Sequence, residues 1–133
     1  MGIIFDTSAI IGIERGRESL DALIAGREEE SFGISVITAA ELLHGVERAD
    51  TEERKLRRQA FVEKVIESFP VFPFDLVIGR IYARIWAAAR KGWTVGAHDL
   101  IIAATAISLD YTVATVNIRD FEKIPGVKIE KLQ

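Results

Sequence analysis

Residues 98–116 read HDLIIAATAISLDYTVATV, and two adjacent segments within them decide the fold class. Residues 100–109, LIIAATAISL, are apolar nearly all round a helix, which is typical of a helix buried between other layers. Residues 112–116, TVATV, form a short run rich in β-branched residues, which is typical of a strand. A buried helix that leads directly into a strand indicates that helices and sheet pack in layers.

The rest of the chain alternates strands and helices in the same way. Pro70 and Pro73 interrupt the third strand-like run, which we therefore expect to be short or at an edge of the sheet. The alternation predicts a three-layer α/β/α fold, with a mainly parallel sheet of four to five strands and helices on both of its faces. The predicted strands are residues 3–5, 32–36, 69–74, 112–116 and 127–132, and the predicted helices are residues 8–14, 17–30, 37–49, 51–68, 75–91 and 98–109.

Capping signals and periodicity place two of these helices in more detail. Asp50 and Glu53 have the spacing of a capping box at the start of helix 51–68. Asp75 is expected to cap the next helix, and Gly92 to end it. The apolar stripe predicted for helix 51–68 consists of Leu56, Ala60, Phe61, Val65 and Ile66.

The composition limits the class of protein. A chain of 133 residues, 49% of them hydrophobic, is expected to form a single domain over residues 1–133 with a substantial core. No apolar run approaches the roughly 20 residues of a membrane span, and no signal-peptide pattern is visible. The chain has no cysteine, which excludes disulfides and thiolate metal sites and fits a reducing compartment, so we expect a cytoplasmic protein.

Histidine content and charge restrict the possible ligands. The only histidines are His44 and His98, so a bound metal would be held by oxygen, which indicates Mg²⁺, Mn²⁺ or Ca²⁺. His44 follows Glu41 at a spacing that di-iron bundles use, but those bundles repeat it in an all-helical frame. The net charge of −3 argues against a broad basic surface, so contact with nucleic acid requires a local patch.

Four acidic residues fall near the ends of predicted strands. Asp6 follows the first strand, Glu41 lies early in the helix after the second, and Asp120 follows the fourth. Asp99 begins the buried helix before the fourth strand, and this helix should start at the same edge of the sheet. Because ligands of open α/β sheets bind beyond the carboxyl ends of the strands, we expect the four carboxylates to gather there.

Four carboxylates in one place would repel each other. At ~4 Å and an effective dielectric constant of about 20, each pair costs on the order of 4 kcal/mol. Proteins relieve such repulsion by protonation or by binding a cation. A hard divalent cation needs only oxygen ligands, and it can polarise a phosphoryl oxygen and lower the pKa of a coordinated water. The pattern therefore predicts metal-dependent hydrolysis of phosphodiesters.

Each acid also has a purely structural explanation. Asp6 could be the N-cap of the helix that follows it. Thr38 and Glu41 have the spacing of a capping box. Asp99 could complement a helix dipole, and Asp120 could be a solvated turn residue. Only the joint placement of the four favours a functional site.

Four segments resemble the PIN domain of the VapC type, the ribonuclease toxins of bacterial and archaeal toxin–antitoxin pairs. The resemblance covers nearly the whole chain. It implies the Rossmann-like sheet of the PIN-domain fold. It also implies a Mg²⁺- or Mn²⁺-dependent endoribonuclease, in which a water attacks the RNA substrate in line and leaves a 5′-phosphate. The implied partners are a VapB-like antitoxin and, in a homodimer, a second copy of the chain. The segments are IIFDTSAI (3–10), ISVITAAELLHGVERA (34–49), GAHDLIIAATAISLDYTVATVNIRDF (96–121) and PGVKIEKL (125–132).

The resemblance assigns roles to individual acids. The first acid of the family matches Asp6, its helical glutamate matches Glu41, and its third acid matches Asp99. Its fourth acid varies in position and is best matched by Asp120, with Asn117 as a polar neighbour. The resemblance implies that Asp6 and Asp99 are the most direct metal ligands. Glu41 and Asp120 would complete the metal's coordination or position the attacking water.

Hydroxyl groups beside these acids are expected to support them. The resemblance implies that Thr7, Ser8 and Thr115 hold the carboxylates through hydrogen bonds. Two positions depart from the family pattern: Ser8 stands where Asn is common, and His98 precedes the third acid where Pro or Phe is frequent. Neither departure removes an expected ligand.

Basic side chains are candidate contacts for a substrate or partner. Arg54, Arg57 and Arg58 form the densest basic run, which is usually a solvated helix face and alternatively a phosphate-contacting rim for RNA. Arg80 and Arg84 lie four residues apart on one helix face. The resemblance suggests that this face meets the antitoxin or RNA, and surface ion pairs are the alternative.

Two other functions compete with the nuclease. A phosphatase of the haloacid dehalogenase type also has an acid after its first strand, but it needs a second aspartate where this chain has Ser8. The second rival is a catalytically idle PIN module that acts by binding protein or RNA. The complete set of acids favours the enzyme.

Overall fold

A computed structural model describes residues 2–17, 19–89 and 94–132. These residues contain five strands, all parallel, which form one sheet. The strands are β1 (Gly2–Phe5), β2 (Ser31–Ser35), β3 (Val71–Phe72), β4 (Thr112–Thr115) and β5 (Lys128–Lys131). Their order across the sheet is β3-β2-β1-β4-β5, so β1 is central and β3 and β5 are the edges. The predicted parallel sheet is confirmed.

Helices cover both faces of the sheet. The helices within the described residues are α1 (Thr7–Glu14), α2 (Leu20–Ile24), α3 (Val36–Glu47), α4 (Glu52–Ser68), α5 (Leu76–Ala87), α6 (Ala97–Leu109) and α7 (Ile118–Glu122). Buried residues of α1, α3 and α4 pack in one core with Ile3 and Phe5 of β1. Buried residues of α5, α6 and α7 pack in a second core with Ile4, on the opposite face. The fold is the predicted three-layer α/β/α arrangement.

Strand β1 is anchored on both of its faces. Ile3, Ile4 and Phe5 are each no more than 3% exposed, as expected for a parallel strand covered by helices on both sides. Burying one side chain of this size contributes about 1.5–3 kcal/mol. The residue that follows β1, Asp6, is therefore attached to a rigid part of the molecule.

The predicted helix over residues 17–30 is wrong in length, because α2 spans only Leu20–Ile24. Ala25 has an extended ψ of 128°, which ends the helix. Gly26 then has a φ of +79°, a left-handed conformation that glycine adopts without steric cost. The charged residues that follow form a turn, in which the N–H of Glu30 donates to the carbonyl of Arg27.

The predicted capping box at the start of α4 is wrong by one residue. The N-cap is Thr51, whose side chain accepts a hydrogen bond from the N–H of Arg54. Asp50 instead accepts two hydrogen bonds from the Arg54 guanidinium, at 2.9 and 3.0 Å. Threonine and aspartate both cap helices well, so sequence alone does not choose between neighbours.

The apolar stripe predicted for α4 is partly wrong. Leu56 is 59% exposed and Ala60 is also exposed, whereas Val62 and Val65 are buried. The less exposed residues of α4 follow a spacing of three and four, Lys55, Arg58, Val62 and Val65, and Leu56 lies outside this stripe. The face that meets the core starts near Phe61.

Most other boundaries follow the predictions. β3 is short and lies at an edge, as the prolines indicated. Asp75 caps α5 by accepting a hydrogen bond from the N–H of Ile78. α5 ends at Ala87, and the predicted stop at Gly92 lies outside the described residues. Within the described ranges, no helix has the length and apolar character needed to cross a membrane.

Candidate active site

Asp6 directly follows β1 and is 3% exposed. Its Oδ1 accepts hydrogen bonds from the N–H of Ala9 at 2.9 Å and from the hydroxyl of Ser8 at 2.8 Å. Its Oδ2 accepts a 2.6 Å hydrogen bond from the hydroxyl of Thr115. Asp6 is therefore the N-cap of α1, as one explanation predicted. A carboxylate oxygen accepts about two hydrogen bonds, so Oδ2 retains capacity for a further ligand.

The electrostatics of Asp6 favour a nearby cation. Burial raises the pKa of Asp6 above its ordinary value. Hydrogen bonds from Thr115, Ala9 and Ser8 stabilise the anion and offset part of that increase in pKa. The charge of Asp120 adds a smaller increase. The capping role and a cation-binding role are thus compatible in one side chain.

Glu41 has no capping role in α3, so the predicted capping box is wrong. The N-cap is Ser35, whose side chain accepts a hydrogen bond from the N–H of Ile37 at 3.1 Å. Thr38 lies inside the helix and is completely buried. Glu41 is therefore in the second turn, half-buried, and the structural explanation for its position is removed.

The carboxylate of Glu41 contacts residues that adjoin two of the other acids. Its Oε1 accepts a 2.7 Å hydrogen bond from the hydroxyl of Thr7, the residue after Asp6. Its Oε2 lies 3.3 Å from Nδ1 of His98, the residue before Asp99. These contacts bring α1, α3 and α6 together around one side chain.

Asp99 lies in the first turn of α6, after the N-cap Gly96. The pKa of Asp99 is raised to about 6, most of all by burial and then by the charges of three other acids, whereas the charge of His98 lowers it. An aspartate that only complements a helix dipole would have a lowered pKa. The raised pKa instead reflects burial first and the like charges of three other acids second. The three acids, in decreasing order of effect, are Asp120, Asp6 and Glu41.

Asp120 lies in α7, a five-residue helix that the sequence did not predict, and its side chain is exposed. Asn117 precedes this helix and is also exposed. The N–H of Asn117 donates a 2.9 Å hydrogen bond to the hydroxyl oxygen of Thr115. Thr115 therefore connects the start of α7 to Asp6.

Taken together, the carboxyl ends of β1, β2 and β4 bring the four acids within electrostatic range of each other. Among the residues that the structure describes, no three His, Asp or Glu side chains are already close enough to hold an ion between them. Mg²⁺ usually keeps several waters and takes only one or two carboxylates from the protein. The oxygen-only donor set and its excess negative charge therefore fit a hydrated divalent cation.

The three predicted arginines of α4 differ in their distance from the acidic site. Arg54 and Arg57 pair with acids four residues earlier on the exposed face of α4, at 2.9 and 3.8 Å. Arg58 donates to the carbonyl of Gly45 at 2.9 Å. It also lines a cavity of about 110 Å³ that Glu41 borders. Of the α4 arginines, Arg58 is thus the one beside the acids. Arg15, which the sequence reasoning missed, lines the same cavity.

Arg80 and Arg84 are exposed on α5. Arg84 borders a cavity of about 300 Å³ with apolar walls that include Ile81 and Ile107. Within the described ranges neither arginine is within ion-pair distance of an acid. The structure therefore does not bring these two residues into contact with the four carboxylates.

Two apolar surfaces lie outside the acidic site. The first, which we call the α4 groove, has a volume of about 290 Å³ and runs between α1, α2 and α4. The second lies on α5, where Leu76 and Val77 in the first turn are 69% and 62% exposed and Trp86 in the last turn is 64% exposed. Large exposed apolar surfaces often mark contacts with other proteins. The α4 groove is lined chiefly by Ile10, Ile13, Leu20, Phe61, Val65 and Phe69.

Comparisons with known proteins agree with this architecture. The family model of the PIN domain matches residues 3–127. The chain is 38% identical to Ribonuclease VapC1 of Rickettsia felis, over 97% of this chain and 95% of that protein. It is 42% identical to the tRNA(fMet)-specific endonuclease VapC of Salmonella typhimurium, over 73% of this chain and 72% of that protein.

A solved structure of a VapBC complex has the same fold. The crystal structure of DNA-bound VapBC from Salmonella typhimurium superposes with a TM-score of 0.85, 33% sequence identity and 98% coverage of both chains. The expected family resemblance is confirmed by sequence and by structure. The chain belongs to the PIN domain family and, within that family, to the VapC ribonucleases.

Proposed function

We propose that this ribonuclease requires a divalent cation, Mg²⁺ or Mn²⁺, and that it acts as the toxin of a toxin–antitoxin pair. The observation that carries the metal requirement is geometric: the four acids, Asp6, Glu41, Asp99 and Asp120, lie at one edge of the sheet, where their negative charges repel each other. A divalent cation would remove this repulsion, because it interacts favourably with all of the carboxylates at once. Its ligands would all be oxygens, which suits Mg²⁺ and Mn²⁺.

Asp6 and Asp99 are the proposed direct ligands. Oδ2 of Asp6 is held in one orientation by Thr115 and retains capacity for a ligand. Asp99 lies within electrostatic range of the other three carboxylates, so a bound cation would relieve its repulsion with them. When bound, the cation would supply Lewis-acid polarisation of the phosphoryl group and activation of water. Glu41 and Asp120 would orient the attacking water or complete the coordination, with Asn117 beside them.

The RNA backbone is proposed to approach across the cavity that Glu41 borders. Arg15 and Arg58 line this cavity together with Glu14, whose carboxylate lies 3.9 Å from the Arg58 guanidinium, so two positive side chains lie beside Glu41. Arginine is well suited to phosphate, which it binds with two parallel hydrogen bonds. Because the Salmonella relative is named a tRNA(fMet)-specific endonuclease, tRNA is the first substrate to test, and an RNA substrate would place the activity in the cytoplasm.

An antitoxin partner is proposed because the solved relative is a VapBC complex. The α4 groove is the surface that we propose for it. Its walls are apolar, and its length along α4 suits the apolar side of a partner helix. Arg80 and Arg84 lie elsewhere, on α5, and remain alternative contacts.

A homodimer is also proposed. The exposed apolar side chains of the first turn of α5, Leu76 and Val77, would be removed from water by a second copy of the chain. Replacement of Val77 by lysine would then produce monomers in sedimentation experiments without unfolding the protein, since this side chain is 62% exposed.

The test compares cleavage of tRNA by the wild-type protein in Mg²⁺, by the same protein in EDTA, and by Asp6→Asn and Asp99→Asn in Mg²⁺. Cleavage is expected only in the first sample. Asp110→Asn is a matched control, because Asp110 is exposed and pairs with Lys128 at 2.7 Å, and this variant should cleave as the wild type does. Equal cleavage in all samples would refute the metal requirement, and RNA binding without cleavage would identify an idle module.

A further inference from the structure

Glu41 is held at both of its carboxylate oxygens by neighbours of the two proposed ligands. The hydroxyl of Thr7 donates to Oε1 at 2.7 Å, and Nδ1 of His98 lies 3.3 Å from Oε2. Thr7 follows Asp6 and His98 precedes Asp99, so each proposed ligand has a neighbour that contacts the same third acid. Two contacts on opposite oxygens define the orientation of the carboxylate.

This restraint matters because of where Glu41 lies. It is in the second turn of α3, where a glutamate side chain has several rotamers and no backbone N–H to bind. The negative charge of Asp99 acts on it from α6. Without a contact on Oε2, repulsion would favour rotamers that turn this oxygen away from the site.

We propose that His98 is a positioning residue, which fixes Oε2 of Glu41 while Thr7 fixes Oε1. This inference rests on the proposed metal-dependent function. Residues that orient the ligands and polar groups of a metal site typically contribute 10- to 100-fold to metal affinity or activity. Because the side chain of His98 is 55% exposed, we expect the lower end of that range, about tenfold.

Three substitutions at residue 98 distinguish the effect of the position of the side-chain nitrogen from the effects of side-chain size and polarity. His98→Asn places an amide nitrogen near the position of Nδ1 and should preserve most of the contact. His98→Gln carries its amide one methylene further, near the position of Nε2, and should not. His98→Leu removes the contact altogether. His44→Leu is the control, because His44 is also an exposed histidine and lies on α3, three residues after Glu41.

Two measurements are made on each variant: Mg²⁺ affinity by calorimetry without RNA, and kcat and KM for RNA cleavage. His98→Leu and His98→Gln are expected to lower Mg²⁺ affinity or kcat about tenfold with little change in KM. His98→Asn and His44→Leu should stay within about threefold of the wild type. In the Glu41→Gln background, His98→Leu should have no additional effect, because His98 acts through Glu41.

Four results would overturn the proposal. One is tighter Mg²⁺ binding by His98→Leu, which would make His98 a competitor of the cation. Another is an equal loss with and without Glu41. The third is an increase in KM alone with a weaker dependence on salt, which would indicate direct contact between His98 and RNA phosphate. The fourth is a His98→Leu variant equal to a metal-binding wild type, which would refute only this inference. A wild type that binds neither Mg²⁺ nor Mn²⁺ would refute the proposed function itself.

Discussion

The hydroxyl of Thr115, at the end of β4, donates a 2.6 Å hydrogen bond to Oδ2 of Asp6, at the end of β1. Both residues are almost completely buried, and their strands are adjacent in the sheet. This hydrogen bond connects β1, which leads into Asp6, to β4, which leads into α7 and its Asp120. It also holds the first acid in one orientation.

Thr115→Val should therefore destabilise the protein and impair the site. The substitution keeps the shape of the side chain but removes the donor to Asp6 and the acceptor for the N–H of Asn117. We expect a loss of about 1–3 kcal/mol in the free energy of unfolding, measured in urea. Thr112→Val, in the partly exposed first residue of β4, is the control and should change stability by less than about 0.5 kcal/mol. Equal stability of the two variants would contradict the assigned role.

Asp99→Asn should make the metal-free protein more stable at neutral pH. The pKa of Asp99 in the folded state is about 6, above the ordinary value of 3.8, so the folded state binds this proton more tightly than the unfolded state does. The free energy of unfolding therefore falls as pH rises from about 4 to 6, and the ionised carboxylate remains destabilising at higher pH. After a reduction for solvent screening of this half-buried group, we expect a gain of about 1–2 kcal/mol at pH 8.

The pH dependence distinguishes this effect from a general change in packing. The stability difference between wild type and Asp99→Asn, measured without metal, should disappear below about pH 4, where both folded and unfolded states are protonated. Asp110→Asn provides the opposite case, because a hydrogen bond and the charge of Lys128 lower the pKa of Asp110. That control should show no gain in stability at pH 8. A pH-independent gain for Asp99→Asn would contradict the electrostatic explanation.

Mg²⁺ should raise the melting temperature of the wild-type protein. A ligand that binds only the folded state stabilises it by RT ln(1 + [L]/Kd), which is about 1.4 kcal/mol at ten times Kd, or roughly 4–8 °C for a small domain. The shift should be absent in Asp6→Asn, which keeps a side-chain oxygen for capping but loses the charge. Shifts, not absolute melting temperatures, must be compared. An equal shift in Asp6→Asn would place the bound Mg²⁺ elsewhere.

Arg58→Gln should weaken the binding of RNA and reduce its dependence on salt concentration. Because Arg58 borders the cavity beside Glu41, removing its charge should raise KM several-fold and reduce the slope of log K against log salt by about one. Arg54→Gln is the control, since Arg54 pairs with Asp50 at 2.9 Å on an exposed face and does not line the cavity that Glu41 borders. If Arg54→Gln had the larger effect, the RNA would run along the outer face of α4 instead.

The sequence predicted those features that depend on hydrophobic pattern and topology. The apolar character of residues 100–109 identified the buried helix α6, and alternation with strands identified the parallel sheet. Because parallel strands end at the same edge, the gathering of Asp6, Glu41 and Asp99 followed from strand order. These features are determined by many residues at once.

Features determined by single local choices were not predicted reliably. Ser35, not Thr38, caps α3, and Thr51, not Asp50, caps α4, because these residue types are nearly equivalent as caps and tertiary contacts select among them. α2 ends early because Gly26 adopts a left-handed conformation. The contact of His98 with Glu41 joins two helices far apart in the chain, and only its position beside Asp99 gave a signal.

The most direct test of the account is anomalous X-ray scattering from crystals of the protein soaked in Mn²⁺. The account predicts a manganese peak at coordination distance from Oδ2 of Asp6 and from the carboxylate of Asp99, with waters completing its shell. The peak should be missing from crystals of Asp6→Asn treated in the same way. A manganese peak remote from these carboxylates, or none in a wild type that cleaves RNA, would contradict the claim that the acids serve a shared cation.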